Sequence, residues 1–196
     1  MRRAQVTAIV LCGGSGARLG HKDKTLAPLA GRPLVTYAIA AVEPQVGRVI
    51  LSCGREAERY LELGYPTVTD DQTGQGPLGG LVSALPQVET DWILTYPGDT
   101  PFARADLVAR LAPAAEASGI AVPSTGDQRQ HLVLLLSQAR AQALLPFYAS
   151  GGRAMRVWLD QEGVASVDMS DARDSFLNVN TPADRERAQE RLREVL

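Results

Sequence analysis

Short, almost continuously apolar runs alternate with amphipathic stretches along most of the 196 residues of the chain. The runs Val6–Cys12 and Trp92–Tyr96 hold few polar residues, which is typical of strands that are covered on both faces in a parallel sheet. The amphipathic stretches between such runs predict helices that pack against that sheet. The alternation therefore predicts an α/β fold. We expect one domain over residues 1–196, a three-layer α/β/α sandwich with a mostly parallel, Rossmann-like sheet.

The same pattern sets the bounds of the other predicted elements. Further strands are predicted at Arg48–Cys53, Pro66–Thr69, Ile120–Pro123, His131–Leu136 and Phe176–Asn180. Helices are predicted at Pro33–Glu43, Glu56–Leu63, Leu78–Gln87, Arg104–Ala117, Gln138–Tyr148, Arg153–Gln161 and from Pro182 onward, with Thr181 as the last N-cap. Ligands of such sheets bind beyond the carboxyl ends of the strands. Three unusual loops at those ends are therefore the candidate binding segments: Gly13–Lys24, Asp70–Gly80 and Pro97–Phe102.

Composition narrows the range of partners. The formal net charge is −2, so the bulk charge favours neither a nucleic acid nor a membrane surface as partner. The two cysteines, Cys12 and Cys53, have no metal-ligand spacing and suit a reducing compartment. No apolar stretch approaches the ~20 residues of a membrane span, and the apolar run near the start is short for a secretory signal. We therefore expect a cytoplasmic protein.

The first loop, in the stretch "LCGGSGARLGHKDK", carries glycines and cations directly after an apolar strand. It fits neither a Walker A loop nor the dinucleotide fingerprint G-x-G-x-x-G, whose third glycine is replaced by Leu19. Its glycines still allow successive backbone N–H groups to converge on anionic oxygens. Arg18 can grip a phosphate at two points, and Lys24 is a compact charge beside it. A surface turn with solvated charges is the alternative that this loop alone leaves open.

The other two loops carry carboxylates. Asp99 in "YPGDTP" follows an apolar strand directly and is well placed to hold Mg²⁺, or else serves as a turn aspartate before Pro101. Asp70 and Asp71 in "TDDQTGQGPLGG" precede a Gly-Pro bend that enters a helix. They are candidates for reading the base or sugar of a nucleotide, and an ordinary acidic turn remains the alternative for them.

Together these motifs resemble the molybdenum cofactor guanylyltransferases of the nucleotidyltransferase superfamily. "LCGGSGARLGHKDK" is similar to the signature L-A-G-G-x-S-x-R-M-G-x-x-K of that family. "GPLGG" at residues 76–80, "GDTP" at residues 98–101 and "NVNTPAD" at residues 178–184 resemble its further segments in the same order. The resemblance implies transfer of GMP from GTP to the terminal phosphate of Mo-molybdopterin, with release of pyrophosphate. It also implies Mg²⁺ as cofactor, and proteins that deliver the molybdopterin and accept the product as partners.

The resemblance implies a role for each matching position. The catalytic residues would be Arg18, Lys24 and Asp99, and Asp99 would also be the metal ligand. The nucleotide would contact Leu11, Cys12, Gly13, Gly14, Lys24, Ser52, Asp70 or Asp71, Gly76 and Asp99. The molybdopterin side would contact Asn178 and Asn180.

Departures from the family pattern leave two other functions open. Cys12 stands in place of the usual alanine, and Ser52-Cys53-Gly54 stands where relatives often carry an asparagine that contacts guanine. A cytidylyltransferase of the same fold is therefore an alternative. A non-catalytic nucleotide-binding or cofactor-handover protein is a second alternative, although Arg18, Lys24 and Asp99 are all present.

The transferase reaction needs no general base from the protein. The acceptor is a phosphate monoester with its second pKa near 6, so it is largely dianionic at neutral pH.

Overall fold

The computed structural model describes residues 1–12, 23–69, 75–164 and 166–195. The five site residues Gly13, Gly14, Arg18, Asp70 and Asp71 lie outside the described residues. The strands in chain order are β1 Val6–Leu11, β2 Pro28–Leu29, β3 Arg32–Pro33, β4 Arg48–Ser52, β5 Thr67–Val68, β6 Trp92–Pro97, β7 Ile120–Thr125, β8 Gln128–Arg129, β9 Leu134–Ser137 and β10 Ser166–Asp168. The α-helices are α1 Leu34–Val42, α2 Gly76–Ala84, α3 Leu107–Ser118, α4 Gln138–Ala149, α5 Met155–Gln161 and α6 Pro182–Val195.

The described part of the chain forms one large sheet in the order β10-β7-β9-β6-β1-β4-β5, with β8 added to β7 as a hairpin. The strand β9 runs antiparallel to both of its neighbours, and the rest of that order is parallel in direction. The register pairs Leu11, at the end of β1, with Ser52 of β4 and with Pro97 of β6. Three strands therefore end level with one another, and the loops that follow them leave from one edge.

Helices cover both faces of this sheet. One face packs against α1, α3 and the 3-10 helix Gly54–Leu63, and the other packs against α2, α4 and α5. Every residue of β1 is buried, as its almost continuously apolar pattern predicts for a central strand with two covered faces. The predicted three-layer α/β/α sandwich with a mostly parallel sheet is confirmed. No helix in the described part of the chain is long and apolar enough to cross a membrane.

Several local predictions differ from the structure. The strand predicted at Phe176–Asn180 is wrong, because a 3-10 helix Ser170–Phe176 leads into an unpaired extended segment there. The N–H of Val179 in this segment donates to the Asp99 carbonyl at 2.9 Å rather than to a strand ladder. The predicted helix at Glu56–Leu63 is a 3-10 helix, and the strand predicted from His131 begins at Leu134. The short edge strand β10 was not predicted, because it spans three residues and is mostly exposed.

Candidate active site

The ends of β1 and β6 approach each other closely at Gly98. The Gly98 N–H donates to the Leu11 carbonyl at 2.9 Å. A Cβ at Gly98 would lie 3.2 Å from the Leu11 carbonyl oxygen, 3.3 Å from Thr25 Cγ2 and 3.4 Å from Cys12 Sγ. Only a residue without a side chain lets the backbone turn here without displacing those neighbours. Gly98 thereby sets Asp99, the next residue, against the segment that follows β1.

Lys24 and Asp99 form an ion pair at this edge of the sheet. The Lys24 ammonium lies 2.6 Å from Asp99 Oδ2, and the two side chains are 19% and 23% exposed. The same ammonium donates to Asn180 Oδ1. The structure therefore joins residues from three of the four motifs, although 75 and 156 residues separate Lys24 from its two partners.

Asn178 belongs to the same cluster through a second contact. The hydroxyl of Thr100, which is 1% exposed, donates to Asn178 Oδ1. The backbone bond from Val179 to the Asp99 carbonyl holds the two segments side by side. Asn178 and Asn180 themselves are exposed, so their amides remain open to a ligand. Helix α6 then begins directly behind them, where Thr181 and Asp184 exchange capping hydrogen bonds.

A buried polar network lies on the inner side of the turn that carries Lys24. The hydroxyls of Thr25 and Tyr60 hydrogen-bond to each other at 2.5 Å. They lie 3.0 and 2.5 Å from the two oxygens of the Asp23 carboxylate. Burial raises the pKa of the Tyr60 phenol well above its ordinary value, so the phenol stays protonated and serves as a donor. The sequence did not indicate this network, because Tyr60 reads as one residue of an amphipathic helical stretch.

Leu11, Cys12 and Ser52 are buried at the strand ends, with exposed fractions of 7%, 3% and 2%. The Cys12 N–H donates to the Ser52 carbonyl at 2.8 Å, so the parallel ladder continues to this residue. Burial, and then the neighbouring Cys53 thiol, raises the pKa of Cys12 well above its ordinary value. A buried, protonated thiol of this kind acts as a small space-filling group rather than as a nucleophile.

Helix α2 begins at Gly76 and packs tightly over the end of β4. A Cβ at Gly80 would lie 2.4 Å from Ser52 Oγ, so a larger residue at the end of "GPLGG" would force that hydroxyl to move. Gly76 is exposed at the start of the helix, with a φ of +65°. Just before it, Gln75 accepts a hydrogen bond from Arg153 Nε, and the Arg153 guanidinium lies 4.3 Å from the centre of the Tyr148 ring.

Arg153 is a site-edge cation that the sequence analysis did not select. It follows the glycine pair Gly151-Gly152 rather than a strand, so it lies outside the three candidate loops, which all follow strands. The glycine pair was the available signal in the sequence, and in the structure a Cβ at Gly152 would lie 2.4 Å from the Phe147 ring, which would then have to shift.

The described residues fit a magnesium ion that substrate and protein hold jointly. Among them no group of three or more His, Cys, Asp or Glu side chains converges as a metal cage. Asp99 offers one partly exposed carboxylate, beside the amide oxygens of Asn178 and Asn180. Mg²⁺ is commonly bound by one or two carboxylates plus substrate phosphates and water, and this donor set suits that arrangement.

The carboxyl edge of an α/β sheet is where ligands of such folds bind, and here it brings together a lysine, a carboxylate and two amides. The chain belongs to the family of the MobA-like NTP transferase domain, whose model matches residues 8–166. It is therefore a nucleotidyltransferase.

Curated relatives agree with this family over almost the whole chain. The chain is 35% identical over 189 residues to the molybdenum cofactor guanylyltransferase of Shewanella loihica. The matched residues cover 95% of this chain and 96% of that relative. The protein of the same name from Shewanella sediminis is 34% identical, with the same coverage of both chains.

Solved structures share the fold. The molybdopterin-guanine dinucleotide biosynthesis protein A of Archaeoglobus fulgidus superposes with a TM-score of 0.78 at 24% identity, covering 96% of this chain and 99% of that one. The 2-C-methyl-D-erythritol 4-phosphate cytidylyltransferase of Thermus thermophilus superposes with a TM-score of 0.72 at 19% identity, covering 94% and 98%. Enzymes whose names indicate different nucleotides therefore share this fold, and the fold alone does not determine which nucleotide base an enzyme uses.

Proposed function

We propose that the protein transfers GMP from GTP to the terminal phosphate of Mo-molybdopterin, which gives the molybdopterin guanine dinucleotide cofactor and pyrophosphate. The observation that carries the proposal is the 35% identity, over 95% of this chain, to a relative named molybdenum cofactor guanylyltransferase. The convergence of Lys24, Asp99 and Asn180 supports it, because these residues come from separate motifs of the resemblance.

The reaction needs positioning and charge neutralisation from the protein. A phosphate oxygen of the acceptor attacks the α-phosphorus of GTP, and the bond between the α-phosphorus and the bridging oxygen of the β-phosphate breaks. The acceptor oxygen is already anionic at neutral pH, so no side chain has to remove a proton. The protein holds the attacking oxygen, the phosphorus and the leaving pyrophosphate roughly in line, as other phosphoryl-transfer sites do.

Lys24 is the described cation that meets the polyphosphate in this proposal. With a triphosphate bound, its ammonium has an anionic partner other than Asp99, and it can follow the negative charge that grows on the departing pyrophosphate. Arg18 and the loop glycines Gly13 and Gly14 would cradle the same phosphates, and Asp70 or Asp71 would contact the nucleoside. These five assignments rest on the resemblance, because the residues lie outside the described part of the chain.

Besides Lys24 and Asp99, the described nucleotide-side residues are Leu11, Cys12, Ser52 and Gly76. The first three are buried at the strand ends, so we propose that their backbone groups shape the floor of the nucleotide site. Asp99 would hold Mg²⁺, which when bound supplies Lewis-acid polarisation of the phosphate oxygens. Asn178 and Asn180 are exposed, Asn180 contacts the ammonium of the ion pair, and both would contact the acceptor.

Pyrophosphate release with Mg²⁺ tests the proposal directly. Purified Mo-molybdopterin is supplied with each of the four ribonucleoside triphosphates in separate reactions, and we expect release with GTP alone. Release with CTP instead would identify the protein as a cytidylyltransferase. The sequence leaves this alternative open, because Ser52 and its neighbours replace an asparagine that relatives often carry. No release with any triphosphate, while a known guanylyltransferase works on the same acceptor, would favour a non-catalytic handover protein.

The proposal includes the setting of the reaction. We place the enzyme in the cytoplasm, where it meets GTP, with proteins that deliver molybdopterin and accept the finished cofactor as its partners. Fractionation of cells that express the tagged chain tests this placement, and recovery of the protein with the membrane pellet after a salt wash would contradict it.

A further inference from the structure

The candidate site is built in large part from two segments that belong to neither a helix nor a strand of the described structure. The first, which we call the Asp99 loop, covers residues 98–102. The second, the asparagine segment, covers residues 177–180 and carries Asn178 and Asn180. Because no strand ladder joins these two segments, their relative position depends on individual contacts. Those contacts decide whether the carboxylate and the amides face the same ligand.

Two of these contacts lie within the site itself. The N–H of Val179 donates to the Asp99 carbonyl at 2.9 Å, and the Thr100 hydroxyl donates to Asn178 Oδ1. A ligand that binds the exposed amide of Asn178 competes with the second contact. A further contact outside the site would keep the two segments together while a ligand binds.

Arg191 of helix α6 makes such a contact with both segments. Its Nη1 donates to the Asp174 carbonyl at 2.6 Å, three residues before the asparagine segment begins. Its Cζ lies 4.4 Å from the centre of the Phe102 ring, at the end of the Asp99 loop. An arginine can stack its plane on an aromatic ring while the N–H groups at its edge donate hydrogen bonds. One side chain therefore joins the outer ends of the two segments.

The Asp174 carbonyl marks the end of the 3-10 helix Ser170–Phe176. The Leu177 N–H donates to the same carbonyl at 3.4 Å, and the chain is extended from Leu177 onward. Carbonyls at the end of a helix carry partial negative charge, so an arginine that donates to one of them stabilises that end. Arg191 therefore supports the point at which the helix stops and the asparagine segment begins.

The place of Arg191 in α6 separates it from the reacting groups. The fully buried Ala188 packs in one cluster with Leu29 and Val179, and Arg191 follows it by three residues, a spacing that puts both on one side of the helix. Arg191 also lies nine residues after Pro182, which is roughly 14 Å along the helix from its first residue. An effect of Arg191 on the reaction therefore has to pass through the residues that it contacts.

We propose that Arg191 is a positioning residue, which holds the Asp99 loop against the asparagine segment so that Asp99, Asn178 and Asn180 face one substrate. The inference rests on the proposed function, since that function gives the metal to the carboxylate and the acceptor to the amides. Small displacements of aligned groups reduce the rate of an in-line displacement. Arg191 lies outside the four motifs of the family resemblance, the last of which ends at Asp184.

Amide hydrogen exchange, followed by NMR without any ligand, tests whether Arg191 holds the two segments. The control for Arg191→Ala is Arg193→Ala, an exposed arginine two residues further along the same helix. For Arg191→Ala we expect exchange of the Val179 N–H to speed up by about tenfold, the size of one lost hydrogen bond, while the amides of β1 stay protected. Arg193→Ala should change neither. Unchanged exchange at Val179 in Arg191→Ala, or acceleration confined to the amides of α6, would overturn the inference.

Steady-state kinetics of pyrophosphate release tests the consequence for the reaction. Alignment acts on turnover, so for Arg191→Ala we expect kcat to fall by about tenfold while the KM for GTP stays within about twofold. Arg191→Lys keeps the charge but lacks the plane, so its kcat should lie between those of Arg191→Ala and the unaltered protein. A raised KM for GTP with unchanged kcat in Arg191→Ala would contradict the positioning role.

Phe102→Leu keeps the test decisive if Arg191→Ala does not fold, which circular dichroism checks for each variant. This change removes the ring that Arg191 stacks on but leaves an apolar side chain, and it should also lower kcat. The double variant should have a kcat close to that of Arg191→Ala, because both changes remove the same contact. Losses in kcat that multiply fully, or a normal kcat in Phe102→Leu, would overturn the inference.

Failure of the proposed function would be seen separately, as absent pyrophosphate release from the unaltered protein. The exchange comparison needs neither substrate nor turnover, so it would still decide whether Arg191 holds the two segments together.

Discussion

The two sides of the short 3-10 turn Lys24–Leu26 differ in what their polar groups meet. On the inner side Thr25 contacts Tyr60 and Asp23, and Thr25 and Tyr60 are 5% and 0% exposed. On the outer side Lys24 contacts Asp99 and Asn180, and the lysine and the aspartate side chains are 19% and 23% exposed. One turn therefore carries a closed buried network and an ion pair that a ligand can reach.

The difference separates stability from reactivity. A buried hydroxyl that loses its hydrogen-bond partner is left unsatisfied and its own desolvation is no longer compensated, so the inner side should act on folding. The ion pair on the outer side adds little net stability, since its two side chains are only 19% and 23% exposed and the cost of removing both charges from water offsets much of their attraction. The outer side is therefore free to exchange Asp99 for a phosphate at low cost. Four substitutions test this separation, in order of decreasing expected effect.

Asp99→Asn should have the largest effect, on turnover alone. The amide keeps the size of the side chain but removes the negative charge that the proposal assigns to the metal, so pyrophosphate release should fall by about a hundredfold or more. The control is Asp91→Asn, an exposed residue just before the other end of β6, which should keep normal rates. Near-normal turnover of Asp99→Asn at saturating Mg²⁺ would refute the metal role.

Lys24→Ala should reduce turnover more than it reduces affinity for GTP. Charge grows on the leaving pyrophosphate during the reaction, so the ammonium contributes more in the transition state, and we expect kcat to fall by roughly tenfold to a hundredfold. Steady-state kinetics with GTP and a separate GTP binding titration measure the two losses. Arg32→Ala, which removes a nearby cation stacked on Tyr37, is the matched control. A raised KM with unchanged kcat would contradict this role.

Tyr60→Phe should act on the inner side, through stability. Removing the hydroxyl leaves the Asp23 carboxylate and the Thr25 hydroxyl short of a buried partner, so the free energy of unfolding should fall by about 1–2 kcal/mol. Urea denaturation measures this fall, and turnover well below the transition should stay close to that of the unaltered protein. The control is Tyr65→Phe, whose exposed hydroxyl bonds to Glu43 at 2.9 Å. Equal destabilisation by the two changes would remove the contrast between buried and surface hydroxyls.

Asp184→Asn should have the smallest effect, a loss of stability at the start of α6, which follows Asn180 directly. Asp184 accepts hydrogen bonds from the backbone N–H groups of Asn180 and Thr181. Hydrogen bonds, first of all from the Thr181 hydroxyl, lower the pKa of this carboxyl from 3.8 to about 2. Because the folded-state pKa is depressed, the stabilisation is present above about pH 3.8 and is lost as the pH falls toward 2.

The expected cost of Asp184→Asn at pH 7 is about 1 kcal/mol, which is typical of a lost helix cap. Urea denaturation at pH 7 and near pH 2 measures it, and the difference from the unaltered protein should shrink at the lower pH. Glu186→Gln, an exposed residue of the same helix, is the control and should show no such dependence. A cost that stays constant down to pH 2 would contradict the pKa argument.

The site residues that could be predicted from the sequence are those that lie in short, contiguous motifs. Lys24, Asp99, Asn178 and Asn180 were selected because each lies in a short motif, and the structure brings these four side chains into one cluster. Their chemical roles stay predictions. Tyr60 and Arg153 were missed, since each gains its meaning only from a partner far away in the chain, Asp23 in one case and Gln75 in the other.

Secondary structure shows the same limit. Apolar runs such as β1 and β6 were predicted closely, because burial on both faces leaves a continuous pattern in the sequence. The segment around Val179 reads as a strand from its residues, but no strand lies beside it in the described part of the chain. Val179 packs instead in a small hydrophobic cluster with Leu29, Leu34 and Ala188. The pairing of a strand is a property of its neighbours, and its own residues do not encode it.

By itself the sequence determined the layered α/β fold, the glycine-rich and acidic loops after the strands, and the membership of a nucleotidyltransferase family, because each is written in local periodicity or in contiguous motifs. Only the tertiary structure decided that Lys24 meets Asp99 and Asn180, that Tyr60 closes a buried network behind them, and that Arg191 joins the Asp99 loop to the end of a 3-10 helix. The physical reason is that parallel strands in register bring their carboxyl ends together, so residues far apart in the chain become neighbours.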